Sequence, residues 1–201
     1  MKLSRKFYTG EDVVSIARDL LGKFLVTSID GQLSSGMITE TEAYAGRNDK
    51  ACHANNGKRT KRTEVMFHEG GNAYVYLCYG IHHLFNVTTN KDGYADAVLI
   101  RAIEPTEGLS TMLERRGLSQ PQTRLTAGPG ALSMALGITI DLYGSDLTGP
   151  TVWIEDRGIR LPDHGIASGA RVGVGYAGED ALKPWRFGIR DSMWISKPYI
   201  S

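Results

Sequence analysis

The chain has 201 residues, of which 41% are hydrophobic and 22% charged, as in an ordinary soluble globular protein. Its 23 basic and 22 acidic residues leave a net charge of +1, so overall charge neither requires nor excludes a nucleic-acid partner. No apolar run is long enough to cross a bilayer, and the opening MKLSRKFYTG lacks the apolar segment of a secretion signal. We therefore expect no membrane partner and a cytoplasmic (nucleoid-associated) or nuclear location.

The first part of the chain predicts one helix and two long strands. Apolar residues recur at helical spacing in EDVVSIARDLL, which predicts a helix over 11–21. The next run, KFLVTSID, is typical of a strand, and Asp30-Gly31 predicts a hairpin into a second strand that ends near Tyr44. A polar loop rich in Gly and Asn follows over 45–63.

The rest of the chain predicts a second hairpin, further strands and two helices. AYVYLC and IHHLFNVT are β-rich runs joined by Tyr79-Gly80, and ADAVLIRAIEP is a strand that Pro105 should end. Residues 107–117 and the ALSMALG segment are expected to be helical, on either side of a loop over 118–130. Short strands are expected at TVWIED, ARVGVG, WRFGIR and MWIS.

The order of these elements is mixed, without repeats, linkers or regular βαβ alternation. It predicts a single α+β domain over 1–201: a mixed, largely antiparallel curved sheet with peripheral helices and a protruding β-hairpin. The two cysteines, Cys52 and Cys78, are too few for a thiolate metal site and are expected to be reduced.

The strand that ends at Tyr44 carries an unusual polar row. Because side chains alternate along a strand, Glu40, Glu42 and Tyr44 share one face. The row is either a solvent-facing edge or a general base beside an aromatic platform, and periodicity does not decide between the two. Nor does periodicity say which carboxylate would be the base.

Arg101 is a single cation in the otherwise apolar run VLIRAI. A buried arginine needs an anionic or acceptor partner, because desolvating it unpaired is costly. Glu42 and Glu40 are the natural candidates. A structural ion pair would use the same residues as a catalytic one.

The second hairpin brings aromatic side chains and one unexpected amide. Tyr74 and Tyr76 share a face, so they either stack on a planar ligand or belong to the core. Tyr79, at the turn, should project, as a wedge that enters a base stack would. Asn86 is a polar group in an apolar strand and needs a reason to be there.

Two segments concentrate positive charge. GKRTKR over 57–62 has four cations and no acid, and KPWRFGIR over 183–190 has three cations interleaved with Trp185 and Phe187. Each could be a solvated loop, but together they favour a polyanionic partner.

Two patterns in the sequence resemble a cofactor site or a metal site, and neither has the context that such a site requires. The segment GVGYAG over 173–178 matches G-x-G-x-x-G, but too few residues follow it to complete a nucleotide-binding unit. The histidines near the acidic and aromatic runs have no pair at metal-binding helical spacing. We expect neither a metal nor a cofactor.

Six segments occur in order from Phe7 to Trp194: ETEAY, the loop around His53, AYVYLCYG, VLIRAIEP, the GPG turn before a helix, and RVGVGYAGEDALKPWRF. Together they resemble the alkyladenine (3-methyladenine) DNA glycosylase family. The resemblance implies a monomeric, monofunctional enzyme of base excision repair. Such an enzyme flips alkylated or deaminated purines (3-methyladenine, hypoxanthine or ethenoadenine type) out of double-stranded DNA and hydrolyses the N-glycosidic bond, leaving an abasic site.

The resemblance also implies catalytic roles. Glu42 would be the base that activates water, and Arg101 would help to hold that water together with the backbone carbonyl of Ile189. Tyr79 would intercalate and fill the gap left by the flipped base.

For the base pocket, the resemblance implies stacking by Tyr44 and Tyr76. His53 and the backbone of Ala51 would read the purine edge, and Asn86 would crowd out the exocyclic amine of normal guanine. One departure is Ala131, which stands where family members often carry a basic residue.

Two other functions fit parts of the pattern. A hydrolase of small nucleosides would need the aromatic and acidic residues but not the cationic loops. A non-catalytic nucleic-acid-binding module would use the same surface without the chemistry.

Overall fold

The computed structural model describes residues 1–196. In this range, eight strands form one mostly antiparallel sheet, accompanied by four α-helices and several 3₁₀ turns. The strands are β1 Phe24–Ile29, β2 Gln32–Tyr44, β3 Ala73–Cys78, β4 His82–Thr89, β5 Asp96–Glu107, β6 Val152–Glu155, β7 Ile166–Gly169 and β8 Arg186–Ile189. The helices are α1 Arg5–Tyr8, α2 Val13–Asp19, α3 Leu109–Arg116 and α4 Pro129–Leu136. The predicted α+β class is confirmed.

Strand β2 organises the sheet because it pairs with three other strands. The sheet order is β3-β4-β5-β2-β1-β6. On the side away from β5, β2 pairs first with β1 over 32–37 and then with β8 over 40–42. The stretch that carries the two glutamates therefore lies between β5 and β8, with a neighbour on each side.

Both predicted hairpins are confirmed, with left-handed backbone at their turns. Asp30 and Gly31 have φ values of 52° and 74°, and Tyr79 and Gly80 have values of 52° and 72°. Two residues with positive φ give the turn whose twist matches that of the strands it joins. A non-glycine residue is uncommon there, so the backbone at Tyr79 is held in a specific shape at the tip of the β3–β4 hairpin.

The alternation of side chains gives the sheet two different faces. One face packs against the helices in the main core, and its residues include Ala43, Val75, Phe85, Val98 and Ile100. The alternating residues point to the other face, where Tyr44, Tyr74, Asn86, Leu99 and Arg101 line a cavity. Strand periodicity thus builds the hydrophobic core and the candidate site from the same four strands.

Three strand predictions are wrong at their details. ARVGVG and MWIS form no strand, whereas β7, with the sequence IASG, does. Pairing with β8 makes β7 a strand despite its small residues, because neighbours outweigh intrinsic β-propensity. Strand β5 continues past Pro105 to Glu107, and Pro105 lies beside a register shift in β2, where a missing N–H is tolerated.

Candidate active site

A cavity of about 650 Å³ opens on the second face of the sheet, within the size range of small-molecule sites. One row of paired residues crosses it: Tyr74 on β3, Asn86 on β4, Leu99 on β5 and Glu42 on β2. The aromatic end of this row on β3 and its acidic end on β2 lie in one sheet with β4 and β5 between them, so their separation is fixed by strand spacing.

Glu42 is fully buried beneath the cavity. Its Oε2 accepts a hydrogen bond from the Tyr44 hydroxyl at 2.7 Å, and its Oε1 accepts one from the Val172 N–H at 2.7 Å. Arg101 places Nη1 3.3 Å from the same Oε1. The three partners, Tyr44, Arg101 and Val172, all line the cavity in front of this carboxylate.

Arg101 lies between the two glutamates. Its Nε donates to Glu40 Oε1 at 2.9 Å, and its Nη1 faces Glu42. Burial opposes the charge on Arg101, but Glu42 and then Glu40 outweigh it and raise the pKa of the guanidinium. Arg101 therefore pairs with both of the carboxylates that the sequence left as its possible partners.

Tyr44 is held from both ends. Its hydroxyl binds Glu42, and the Arg171 guanidinium lies 4.8 Å from its ring centroid. Burial first, and the Glu42 charge second, raise the pKa of the Tyr44 phenol well above its usual value. The phenol therefore stays protonated and acts as a donor to Glu42.

A buried ion pair supports Tyr44 from behind. Arg171 makes two bonds to Asp49, at 2.6 and 2.7 Å, and donates to the Ala43 carbonyl at 2.8 Å. Sequence reasoning missed Asp49, Arg171 and Val172. Because the Arg171 side chain is directed inward and the Val172 N–H is used by Glu42, this segment cannot pair as the strand that ARVGVG predicted.

The aromatic end of the cavity holds Tyr74, Tyr76 and His53 together. The rings of His53 and Tyr76 meet edge to face at 4.8 Å, and Tyr74 lies 5.3 Å from Tyr76. Tyr76 and His53 are only partly buried, so they can contact a planar ligand in the cavity, whereas Tyr74 is buried beneath them.

His53 is neutral at pH 7. Burial, followed by the charges of Arg62 and Lys58, lowers its pKa to about 4. An Arg62 N–H lies 3.2 Å from Nε2, and the Tyr74 hydroxyl lies 2.9 Å from Nδ1. The same Arg62 nitrogen lies 3.4 Å from Nδ1, so it contacts both nitrogens of the neutral imidazole, and either Nδ1 or the Tyr74 hydroxyl can be the donor in the bond between them.

Asn86 and Ala51 also reach the cavity. The Asn86 side chain is buried, and its Nδ2 donates to the Tyr74 carbonyl at 3.0 Å, which explains the polar residue in an apolar strand. The Ala51 N–H donates to Asp49 Oδ1 at 3.1 Å, and its carbonyl accepts from the Tyr176 hydroxyl at 3.1 Å. A carbonyl has two lone pairs, and among the described residues the Tyr176 hydroxyl uses one of them at Ala51.

Two of the predicted site residues, Tyr79 and Ile189, lie in different places relative to the cavity. Tyr79 is 91% exposed at the hairpin tip and lies on the rim of the cavity, so the predicted projection is confirmed. Ile189 does not line the cavity. It pairs with Ile166 of β7, and its carbonyl accepts from the Ser192 N–H at 3.3 Å, so the structure does not bring it to the other site residues.

The two cationic segments are not equivalent. Residues 57–62 are exposed, with Arg62 4.5 Å over the Tyr76 ring. In the second segment, Lys183 pairs with Asp180 at 2.7 Å and Arg186 is buried on Glu40 at 2.8 Å. Arg186 is therefore not part of an exposed cationic surface, because it is buried on Glu40, whereas Lys183 is partly exposed.

Residues 1–196 contain no group of three His, Cys, Asp or Glu side chains that could hold a metal ion. None of the helices in that range has the length and hydropathy that a bilayer crossing requires.

Comparison with known proteins gives consistent matches along nearly the whole chain. The family model described as methylpurine-DNA glycosylase (MPG) matches residues 6–193. A protein of Natranaerobius thermophilus named "Putative 3-methyladenine DNA glycosylase" is 45% identical over 197 residues, covering 98% of this chain and 99% of that protein. Proteins with the same name are 46% identical over 196 residues in Methanocella arvoryzae (97% and 96% covered) and 44% identical over 186 residues in Chlamydia pneumoniae (92% and 93% covered).

The contact between Arg62 and His53 gives a testable prediction. Replacing Arg62 with Ala removes a nearby positive charge, so the pKa of His53 should rise from about 4 but stay below the usual value, because burial is the larger cause. Titration of the His53 ring protons by NMR measures this. Arg59→Ala is the control, since Arg59 is paired with Glu64 at 2.6 Å and should leave His53 unchanged. An unchanged His53 titration in Arg62→Ala would contradict the assigned contact.

Proposed function

Since the chain belongs to the methylpurine-DNA glycosylase family, and is thus a DNA-repair enzyme that hydrolyses N-glycosyl bonds, we propose how its site acts. The substrate is a 3-methyladenine-type, hypoxanthine or ethenoadenine base in double-stranded DNA. The base is flipped into the cavity, and water activated by Glu42 displaces it and leaves an abasic site. The observation that carries this proposal is a buried Glu42 carboxylate, in contact with Tyr44, Val172 and Arg101, directly behind an aromatic cavity.

The cavity suits a planar base. Tyr44 and Tyr76 offer ring faces, and stacking on an aromatic side chain contributes about 1–3 kcal/mol per base. Neutral His53 and the Ala51 carbonyl supply polar groups for the purine edge. Asn86 is fixed by its bond to the Tyr74 carbonyl, so it cannot easily move away from a guanine amine, and this rigidity would disfavour normal guanine.

Glu42 is suited to accept a proton from water. A carboxylate offers about four acceptor sites, and in the described chain three partners occupy Glu42: Tyr44, Val172 and Arg101. The remaining capacity can bind one water, which Arg101 would help to hold. The water loses a proton to Glu42, its oxygen forms a bond to C1′, and the bond from C1′ to the purine nitrogen breaks with its electron pair leaving on the base.

A base that already carries positive charge needs little help from the protein to leave. An alkylated purine that carries positive charge leaves as a neutral molecule, so no second acid is required for that class. No lysine lines the cavity formed by the described residues. A Schiff-base step with strand cleavage needs an amine nucleophile and is therefore not part of the proposal.

Contacts to duplex DNA are assigned to the rim. Tyr79, exposed beside the cavity mouth, would enter the stack where the base has left, as apolar wedges do in kinked duplexes. The exposed 57–62 segment would contact phosphates, which carry most of the affinity for DNA. We expect the enzyme to act as a monomer.

The direct test is base release from defined duplexes. The protein is incubated, without added metal and with a chelator, with duplexes that carry hypoxanthine, ethenoadenine or 3-methyladenine, and abasic sites are scored. We expect release, with duplex binding that weakens steeply as salt rises. Release from free nucleosides with poor duplex binding at any salt would instead indicate a nucleoside hydrolase. Salt-dependent binding without any release would indicate a binding module.

Tyr79→Ser tests the wedge separately from the chemistry. Because Tyr79 is 91% exposed, the substitution should change the free energy of unfolding by no more than about 0.5 kcal/mol. Flipping, followed by the fluorescence of a base analogue at the lesion, should be largely lost. Leu182→Ser, which removes another exposed apolar side chain away from the cavity, is the control and should flip normally. A Tyr79→Ser protein that unfolds, or that flips like the unchanged protein, would rule out the wedge.

A further inference from the structure

Glu40 has a set of contacts that the proposed chemistry does not use. It is fully buried, and its Oε1 accepts from Arg101 Nε at 2.9 Å, from Arg186 Nε at 2.8 Å and from the Ser196 hydroxyl at 2.9 Å. Its Oε2 accepts from the Ser196 N–H at 2.7 Å. Neither Glu40, Arg186 nor Ser196 lines the cavity, so none of the three is placed to touch a bound base.

Three nitrogens of Arg101 are divided between these partners and Glu42. Nε binds Glu40, Nη2 donates to the Ser196 hydroxyl at 2.9 Å, and Nη1 lies 3.3 Å from Glu42 Oε1. A planar guanidinium that is fixed at two nitrogens has no freedom left to rotate. The direction of Nη1 toward Glu42 is therefore set by Glu40 and Ser196.

The strand register explains how Arg101 reaches both glutamates. Glu40 pairs with Ala102 of β5, and Thr41 pairs with Ile100, so Arg101 is an additional residue between two consecutive pairs. This is a β-bulge, which changes the direction in which a side chain points.

We propose that Glu40 and Ser196 are positioning residues for the reaction: they orient Arg101 on Glu42 and offset the second arginine, Arg186, and thereby set the basicity of Glu42. The inference rests on the proposed role of Glu42 as the base. It also gives a function to the segment 194–196, which is attached beside the site twice, through Ser196 on Glu40 and through the Trp194 carbonyl, which accepts from the Thr39 hydroxyl at 2.5 Å.

The charges around Glu42 determine whether loss of the Glu40 charge makes Glu42 a stronger or a weaker base. Glu40 and Glu42 on β2 face Arg101 on β5 and Arg186 on β8, while the next arginine, Arg171 behind Tyr44, is matched by its own carboxylate, Asp49. Without the Glu40 charge, Glu42 would be the only carboxylate of residues 1–196 in an ion pair with Arg101. Its ionised form would then be stabilised further, which makes it a weaker proton acceptor.

The test compares Glu40→Gln and Ser196→Ala in single-turnover release of hypoxanthine from a duplex, measured across pH. For Glu40→Gln we expect a plateau rate about tenfold lower, an acidic limb moved to lower pH by about one unit, and unchanged affinity for the lesion duplex. Ser196→Ala should move both quantities in the same direction by less. Glu107→Gln, which alters an ion-paired glutamate elsewhere on β5 (Arg157 at 3.1 Å), is the matched control and should change neither.

A lower rate with an unmoved acidic limb in both variants would mean a merely structural role and would overturn the proposal. If Glu40→Gln does not fold, Ser196→Ala decides alone, because it removes one hydroxyl from a partly exposed residue. Failure of the unchanged protein to release any base would contradict the proposed function itself and the positioning role with it, so the two failures are distinguishable.

Discussion

Two carboxylates and an arginine are buried together in the middle of the sheet, and the arrangement of the site follows from the need to pair their charges. Arg101 contacts both Glu40 and Glu42, and Arg186 completes the pairing of Glu40. Breaking a buried pair of this kind typically costs about 3–5 kcal/mol, so the surrounding chain is constrained to supply partners. The bulge at Arg101, the inward turn at Val172 and the attachment of Ser196 all do so.

The two faces of this sheet have different roles: one forms the core and the other lines the cavity. Its helix-facing side chains form the main core, and the alternate ones place aromatic rings and carboxylates at fixed spacings around one cavity. A second buried pair, Arg171 with Asp49, holds the Tyr44 ring in place. The groups that we propose to be catalytic are thus positioned by strands and paired charges, while the hairpin tip and the 57–62 segment, which we propose to contact DNA, are exposed.

Periodicity in the sequence was sufficient to place most strands, both hairpins and the shared face of Glu40, Glu42 and Tyr44. It could not separate the two glutamates, because their difference lies in contacts with residues far along the chain: Val172 for Glu42 and Ser196 for Glu40. For the same reason, two runs with β-like composition are loops, and one backbone N–H of each, at Val172 and at Ser196, is bound by a buried glutamate. Long-range pairing of this kind has no local sequence signal.

The central claim is that Glu42, and not Glu40, delivers the water. The most direct measurement is the single-turnover rate of hypoxanthine release by Glu42→Gln, together with its affinity for the same lesion duplex. An amide cannot accept the proton, so the rate should fall by at least about a hundredfold, while lesion binding is retained because Glu42 lies beneath the cavity lining. A Glu42→Gln protein that releases the base at the unchanged rate would contradict the account.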